Sequence, residues 1–230
     1  MNLPQCEILS TPRREILFIA GGRVPDSNWF KTVAQGRKIF AVDRGIELCR
    51  ALNILPEILI GDFDSAESSA VSWALIKKIP VERHPVDKDL TDTQLALKFV
   101  DENSAAIITG AFGGRFDHAF STIFTCAHFP AKIFLADERE IIFYVRGGES
   151  VTVNFFSKPF ALSLLPMSGI CRGVTIKNVH WELDNATLAQ NFPSAVSNRV
   201  ESSEVQISVG SGILAVYCCF SESFSRTSSA

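Results

Sequence analysis

The 230-residue sequence has no CxxC pair, no long apolar run and no strong excess of charge of either sign. Each absence closes off a class of protein. The six cysteines (Cys6, Cys49, Cys126, Cys171, Cys218, Cys219) include one adjacent pair but nothing with the spacing of a cysteine metal site, so buried, reduced thiols in a cytoplasm are the expectation. The longest apolar run, Ile213 to Phe220, is far below the roughly 20 residues a spanning helix needs. Arg13 and Arg14 precede Ile16 to Ala20 in the manner of a secretory leader. Glu15 interrupts the junction and the apolar stretch is short for a leader core, so the segment reads as a strand. With 22 basic and 25 acidic residues, a net −3, nothing in the overall balance favours nucleic acid or an anionic membrane.

What is present is a globular composition, 47% hydrophobic and 20% charged, which disfavours disorder and coiled coil. The length corresponds to roughly one and a half average domains. Up to about residue 146, β-rich runs alternate with helical patterns. Strands are expected over 15–20, 38–42, 57–60, 81–84, 105–109 and 132–135, with helices over 45–52, 66–77, from 91 and from 116. That rhythm predicts an α/β domain, 1–146, with a doubly wound, mostly parallel sheet. Thr91 and Gln94 have capping-box spacing ahead of Leu95, Phe99 and Val100. Beyond Gly147-Gly148 helical periodicity disappears. Short runs at 151–155, 160–164, 174–176, 205–209 and 213–217 predict a smaller antiparallel β-sandwich over 147–222, and 223–230 reads as a frayed serine-rich tail.

Three clusters look chemical. Gly61-Asp62-Phe63-Asp64-Ser65 follows a predicted strand, where open α/β sheets bind ligands. If the chain stays extended, Asp62 and Asp64 share one side and Phe63 anchors the other. They would then form either a carboxylate pair for a hard cation such as Mg²⁺ or an Asx-rich turn. Asp87-Lys88-Asp89-Leu90-Thr91-Asp92 precedes and opens a helix. Its acids would answer the helix dipole or, with Lys88, a metal-bound polyphosphate. Gly110-Ala111-Phe112-Gly113-Gly114-Arg115-Phe116-Asp117-His118 lies between a strand and a helix. It matches neither GxGxxG nor the Walker A pattern, yet glycines permit backbone approach and Arg115 can fork onto phosphate. His118 reads as an orienting or capping residue. Taken together, the clusters describe a site for a metal-bound polyphosphate.

In this ordered set the sequence resembles the thiamine pyrophosphokinase family. The resemblance rests on GDFDS at 61–65, KDLTD at 88–92 and GGRFDH at 113–118. It extends to Ala20-Gly21-Gly22, Val42-Asp43-Arg44-Gly45, Trp181-Glu182-Leu183 and Val196-Ser197-Asn198. It implies an N-terminal domain for ATP and Mg²⁺, a C-terminal β-domain, and a homodimer with thiamine held between subunits. The implied reaction transfers a diphosphate group from ATP to the hydroxyethyl oxygen of thiamine, giving thiamine diphosphate and AMP.

Carried over by position, Asp62, Asp64 and Asp92, with Asp89 as a fourth, would hold Mg²⁺ or orient the attacking hydroxyl. Lys88 and Arg115 would contact phosphates, Asp43 and Asp117 would shape the nucleotide side, with His118 beside them, and Gly21, Gly22, Gly113 and Gly114 would give backbone approach. Trp181, Ser197 and Asn198 match thiamine-pocket positions. Two departures stand out. Arg44 replaces a frequent glycine and would add a phosphate or dimer contact, and Arg199 stands where glutamate is frequent. The rival readings are a non-catalytic sensor of thiamine diphosphate or a nucleotide, and a metal-dependent DxD phosphotransferase. The second wants Thr or Val shortly after the second aspartate, where this chain has Ser65-Ala66-Glu67.

Overall fold

A computed structural model describes residues 1–9 and 14–221. The expected tail at 223–230 lies outside the described residues. The chain forms two compact units, Pro12–Asp137 and a second made of Met1–Thr11 with Glu138–Ala230. The first strand, β1 (Cys6–Ile8), belongs to the second unit.

The Pro12–Asp137 unit is the expected doubly wound α/β layer. Its strands are β2 (Arg14–Ile19), β3 (Lys38–Val42), β4 (Ile58–Gly61), β5 (Val81–Arg83), β6 (Ser104–Thr109) and β7 (Lys132–Ala136). Every pairing among them is parallel, in the order β7-β6-β2-β3-β4-β5. The chain therefore steps outward from β2 to β5 and returns to β6 on the other side of β2. That reversal is a topological switch point, and the carboxyl ends of the strands around it form a crevice. A parallel sheet covered by helices buries both faces, which is why Ser104–Thr109 is buried at every position. Phe18, Phe40 and Phe99 continue this core as edge-to-face rings with 5.4 Å between successive centroids.

Five helices connect these strands: α1 (Ser27–Ala34), α2 (Gly45–Ala51), α3 (Ser68–Ile76), α4 (Asp92–Leu97) and α5 (Phe116–His128). Helix α1 was not expected from the sequence. Asp26 caps it by accepting from the N–H groups of Asn28 and Trp29, and it buries Trp29, Phe30 and Val33. In α3 the packed face is Ala70 and Ala74, while Leu75 stands 60% exposed. The capping box of α4 is present: Thr91 Oγ1 accepts from the Gln94 N–H and Gln94 Oε1 from the Thr91 N–H.

The second unit is antiparallel. It contains β8 (Glu140–Arg146), β9 (Glu149–Phe155), β10 (Ala161–Pro166), β11 (Ile170–Lys177), β12 (Leu183–Ala189), β13 (Glu204–Val209) and β14 (Ile213–Cys219). One array runs β1-β9-β13-β11-β12 and the other β10-β14-β8. The longer stretch of this unit begins at Glu138, whereas the loss of helical periodicity pointed to 147. Strand β8, apolar throughout its middle, pairs with β14 from Glu140↔Cys219 to Arg146↔Ile213. Strand β12 escaped the sequence reading because LDNATLA carries no apolar alternation and buries only Leu188.

Candidate active site

A cleft of about 580 Å³ opens at the carboxyl edge of the parallel sheet. Ala20 to Gly22 follow β2, Asp43 and Arg44 follow β3, Asp62 to Ser65 follow β4, and Gly110 to Arg115 follow β6. Residues of the 86–93 segment and the first turns of α5 complete the wall. Of the expected nucleotide and metal residues, Gly21, Gly22, Asp43, Arg44, Asp62, Asp64, Lys88, Asp89, Asp92, Gly114, Arg115 and His118 line this one space.

Its centre is acidic. Asp43, Asp62 and Asp92 each offer a carboxylate oxygen within 4.8 Å of the others. Parallel register explains the first two, since Val42 pairs with Ile60 and the next residues leave adjacent strands side by side. The capping box sets Asp92 at the first position of α4. Asp43 was expected on the nucleotide side and Asp64 in the metal set, but the triad brings in Asp43 and leaves out Asp64 and Asp89. The reason is local. Phe63 takes φ +64°, so the chain is not extended there, and the Asp64 N–H donates to Asp62 Oδ1 at 3.1 Å. In that Asx turn Asp64 is exposed and still lines the cleft beside Asp62, while the Phe63 ring is buried with the Arg83 guanidinium 4.9 Å from its centre.

Lys88 is the counter-charge. Its ammonium donates to Asp62 Oδ2 and lies 3.2 Å from Asp92 Oδ1. Burial pushes the Asp62 carboxyl up, but the hydrogen bonds from Lys88 and the Asp64 N–H overcome it and hold Asp62 below its ordinary range. Asp92 goes the other way: burial, aided by the charges of Asp62 and Asp43, outweighs Lys88 and raises it. Asp64 is raised mainly by the charge of Asp62. Lys88 is itself raised, because its bonds to Asp62 and Asp92 outweigh its burial. Asp43 Oδ1 is shielded from solvent and accepts no hydrogen bond, and Asp92 Oδ1, equally shielded, faces only the Lys88 ammonium, while Asp43 Oδ2 accepts from the Ser65 hydroxyl at 2.5 Å. An orphaned buried acceptor is costly. One such oxygen, on Asp43, in an all-carboxylate set fits a hard cation with oxygen ligands.

The glycine loops form the other wall. The Gly22 N–H donates to the Gly110 carbonyl at 2.8 Å. A Cβ on Gly22 would lie 2.4 Å from Gly110 O and 2.5 Å from Phe112 O, so only glycine allows this approach. Gly21 faces Arg44 in the same way, with 2.7 Å to its Cβ, which puts the unusual Arg44 against the first glycine loop. Arg115 leads into α5 and is exposed, forked onto Asp117 through Nε at 3.1 Å and Nη2 at 2.6 Å. The hydrogen bond from Arg115 holds the Asp117 carboxyl below its usual range. Gly113 and Asp117 are not part of the cleft lining.

Trp181, Ser197 and Asn198 lie in the antiparallel unit. Asn198 clamps the Trp181 backbone, accepting from its N–H at 3.0 Å and donating to its carbonyl at 2.8 Å. Ser197, at φ +59°, donates its N–H to Ser163 Oγ. The indole is 57% exposed, and the Arg199 guanidinium stands 5.3 Å from its ring centre.

Two family profiles match the chain: "Thiamin pyrophosphokinase, catalytic domain" over residues 31–135 and "Thiamin pyrophosphokinase, vitamin B1 binding domain" over 151–214. The chain belongs to the thiamine pyrophosphokinase family. The triad of Asp43, Asp62 and Asp92 falls inside the catalytic match, and Trp181, Ser197 and Asn198 inside the vitamin B1 binding match. Among family members, thiamine pyrophosphokinase 1 of Oryza sativa subsp. japonica is 27% identical over 173 residues, 69% of this chain and 64% of its own length. The thiamine pyrophosphokinase of Bacillus subtilis is 28% identical over 180 residues, 75% of this chain and 83% of its own. The crystal structure of thiamin pyrophosphokinase from Geobacillus thermodenitrificans shares the fold with a TM-score of 0.78 at 24% identity, covering 91% of this chain and 99% of that one.

Proposed function

We propose that the chain is a thiamine pyrophosphokinase, moving a diphosphate group from ATP to the hydroxyethyl oxygen of thiamine and releasing AMP. The observation that carries this reading is the carboxylate triad at the strand ends, Asp43, Asp62 and Asp92, set opposite glycine loops in a cleft of about 580 Å³. Carboxylates facing phosphates repel them unless a cation lies between. These three would hold Mg²⁺, which neutralises phosphate charge and withdraws electrons from the phosphorus under attack.

The chain's own side chains do the remaining work. In the reaction the thiamine hydroxyl oxygen forms a bond to the β-phosphorus, the bond from that phosphorus to the oxygen bridging to the α-phosphate breaks, and the hydroxyl proton leaves. Lys88, mobile on a four-carbon stem, would exchange its carboxylate partners for the phosphate oxygens on which charge develops. Arg115 would exchange Asp117 for phosphate in the same way. The N–H groups around Gly110 to Gly114 and the N-terminus of α5 favour anions at that wall. Asp64, exposed and raised by Asp62, would accept that proton. Trp181 offers an aromatic face to a cationic heterocycle.

Assembly as a homodimer and work in a cytoplasm belong to the same proposal. All six cysteines are free, as a reducing compartment requires. Among the described residues, no helix is long and apolar enough to cross a membrane.

The deciding experiment incubates the purified protein with ATP, thiamine and Mg²⁺ and follows AMP. Thiamine-dependent AMP release is expected. Tight binding of either ligand with no AMP would leave a sensor, and an acid-stable phosphate on Asp62 would leave a DxD phosphotransferase.

A further inference from the structure

One buried charge pair touches the cleft wall without lining the cleft. Asp137, the residue after β7, has no exposed side-chain surface. It accepts from Arg23 Nε at 2.9 Å and Arg23 Nη2 at 2.5 Å, both on Oδ2. Arg23 follows Gly21-Gly22 at the end of β2, and between β2 and β7 in the sheet lies β6. The pair therefore reaches across the loop that leaves β6, Gly110 to Gly114.

Arg23 grips that loop at several points. Its N–H donates to the Phe112 carbonyl at 2.6 Å, and its guanidinium stands 5.9 Å from the Phe112 ring centre. Gly113 sits at φ +73°, where a Cβ would come within 2.7 Å of Arg23 Cβ. Phe112 is the loop's one large side chain and is buried, and the glycines around it leave the backbone free to vary unless it is held. Arg23 holds this loop alongside the Gly22 bond to Gly110, and Asp137 is a buried anchor for Arg23.

We propose that the Arg23–Asp137 pair is a positioning device that holds the Gly110–Gly114 loop in the shape that receives the polyphosphate of the nucleotide. The inference rests on the proposed ATP-dependent activity, and it assigns neither residue a contact with substrate. A preformed loop saves the ordering cost at binding, so its loss should appear in nucleotide affinity rather than in the chemical step.

Removing one partner takes a charge-assisted contact from a buried group and threatens folding. The informative protein is the double variant Arg23→Met with Asp137→Leu, which removes both charges together. Beside wild type it is measured for thermal stability, ATP dissociation constant, KM for each substrate, kcat, and amide hydrogen exchange of 111–114 without ligand. The expected result is a folded protein with at least a tenfold weaker ATP affinity and KM. The thiamine KM and kcat should stay within threefold, and exchange should be at least tenfold faster at 111–114 but unchanged in the core of β6. The proposal is overturned if ATP affinity and exchange at 111–114 stay at wild-type values, or if both KM values and kcat worsen together in step with lost stability. If the double variant does not fold, Asp137→Asn is put through the same measurements and judged by the same two results. Should wild type release no AMP, the proposed activity falls while the exchange comparison still decides whether the pair holds the loop.

Discussion

At the scale of single residues the cleft is a store of unfavourable electrostatics. Asp92 is raised because its ionised form is buried beside Asp62 and Asp43, so its charge costs stability in the metal-free protein. Asp62 is lowered because Lys88 pays it back. The two carboxylates should therefore part company on mutation. Asp92→Asn is expected to leave the metal-free Tm unchanged or higher, while Asp62→Asn lowers it. Both should reduce AMP release by about 100-fold or more, since each removes a group that acts on the reacting phosphates. Calorimetry with the AMP assay checks this, and wild-type turnover in both variants would sink the triad as the metal site. In the antiparallel unit, Trp181→Ala should raise the thiamine KM at least fivefold with little change for ATP, because the exposed indole supports a cationic ring and no nucleotide contact. Equal weakening of both substrates would point to damaged folding instead.

At the scale of elements, what matters is how strand ends and helix starts are fastened. The capping box of α4 satisfies two backbone N–H groups and sets the direction in which Asp92 leaves the helix. Thr91→Ala is expected to cost about 0.5–2 kcal/mol, read as a lowered urea midpoint. It should also lower turnover more than a comparable stability loss elsewhere, because Asp92 and Lys88 move with the cap. A variant that loses stability and keeps full turnover at low temperature would show that the cap does not position the site. Gly22→Ala forces a methyl against two carbonyl oxygens. It should destabilise by about 1–3 kcal/mol and weaken ATP, measured by denaturant titration and nucleotide binding.

On the whole-molecule scale, the cysteines report on both units at once. Burial pushes the thiols of Cys6, in the antiparallel unit, and Cys49, in the α/β unit, up to about 12. A thiol raised in the folded state keeps its proton there after the unfolded chain has lost it. Its contribution to stability is complete below the unfolded value near 9 and is lost as pH rises through about 12. Stability should thus decline across that window, and Cys49→Ala should flatten the decline; an identical slope would remove Cys49 as a cause. In native protein at pH 8, iodoacetamide should leave the buried thiols unmodified until denaturant exposes all six.

The α/β rhythm, the glycine loops, the capping box and the cluster positions were legible in the sequence because they are local. Turn chemistry, helix caps and apolar period act over a few residues and need no partner from afar. Strands β1 and β12 and helix α1 were not, since their apolar pattern is short or absent and distant pairing or packing makes them. The same divide runs through the site. Sequence marked Asp62 and Asp92, and it placed Asp64 beside them on the assumption of an extended chain. Only the tertiary structure decided that Asp43 joins the triad, because β3 and β4 are neighbours in one parallel register, and that a left-handed Phe63 folds the Asp64 N–H back onto Asp62. It also decided that Arg23 and Asp137, 114 positions apart, meet across a glycine loop. Spacing along a chain determines what a segment can do locally. Which charges share one low-dielectric space is settled by strand order, and that is a property of the folded molecule alone.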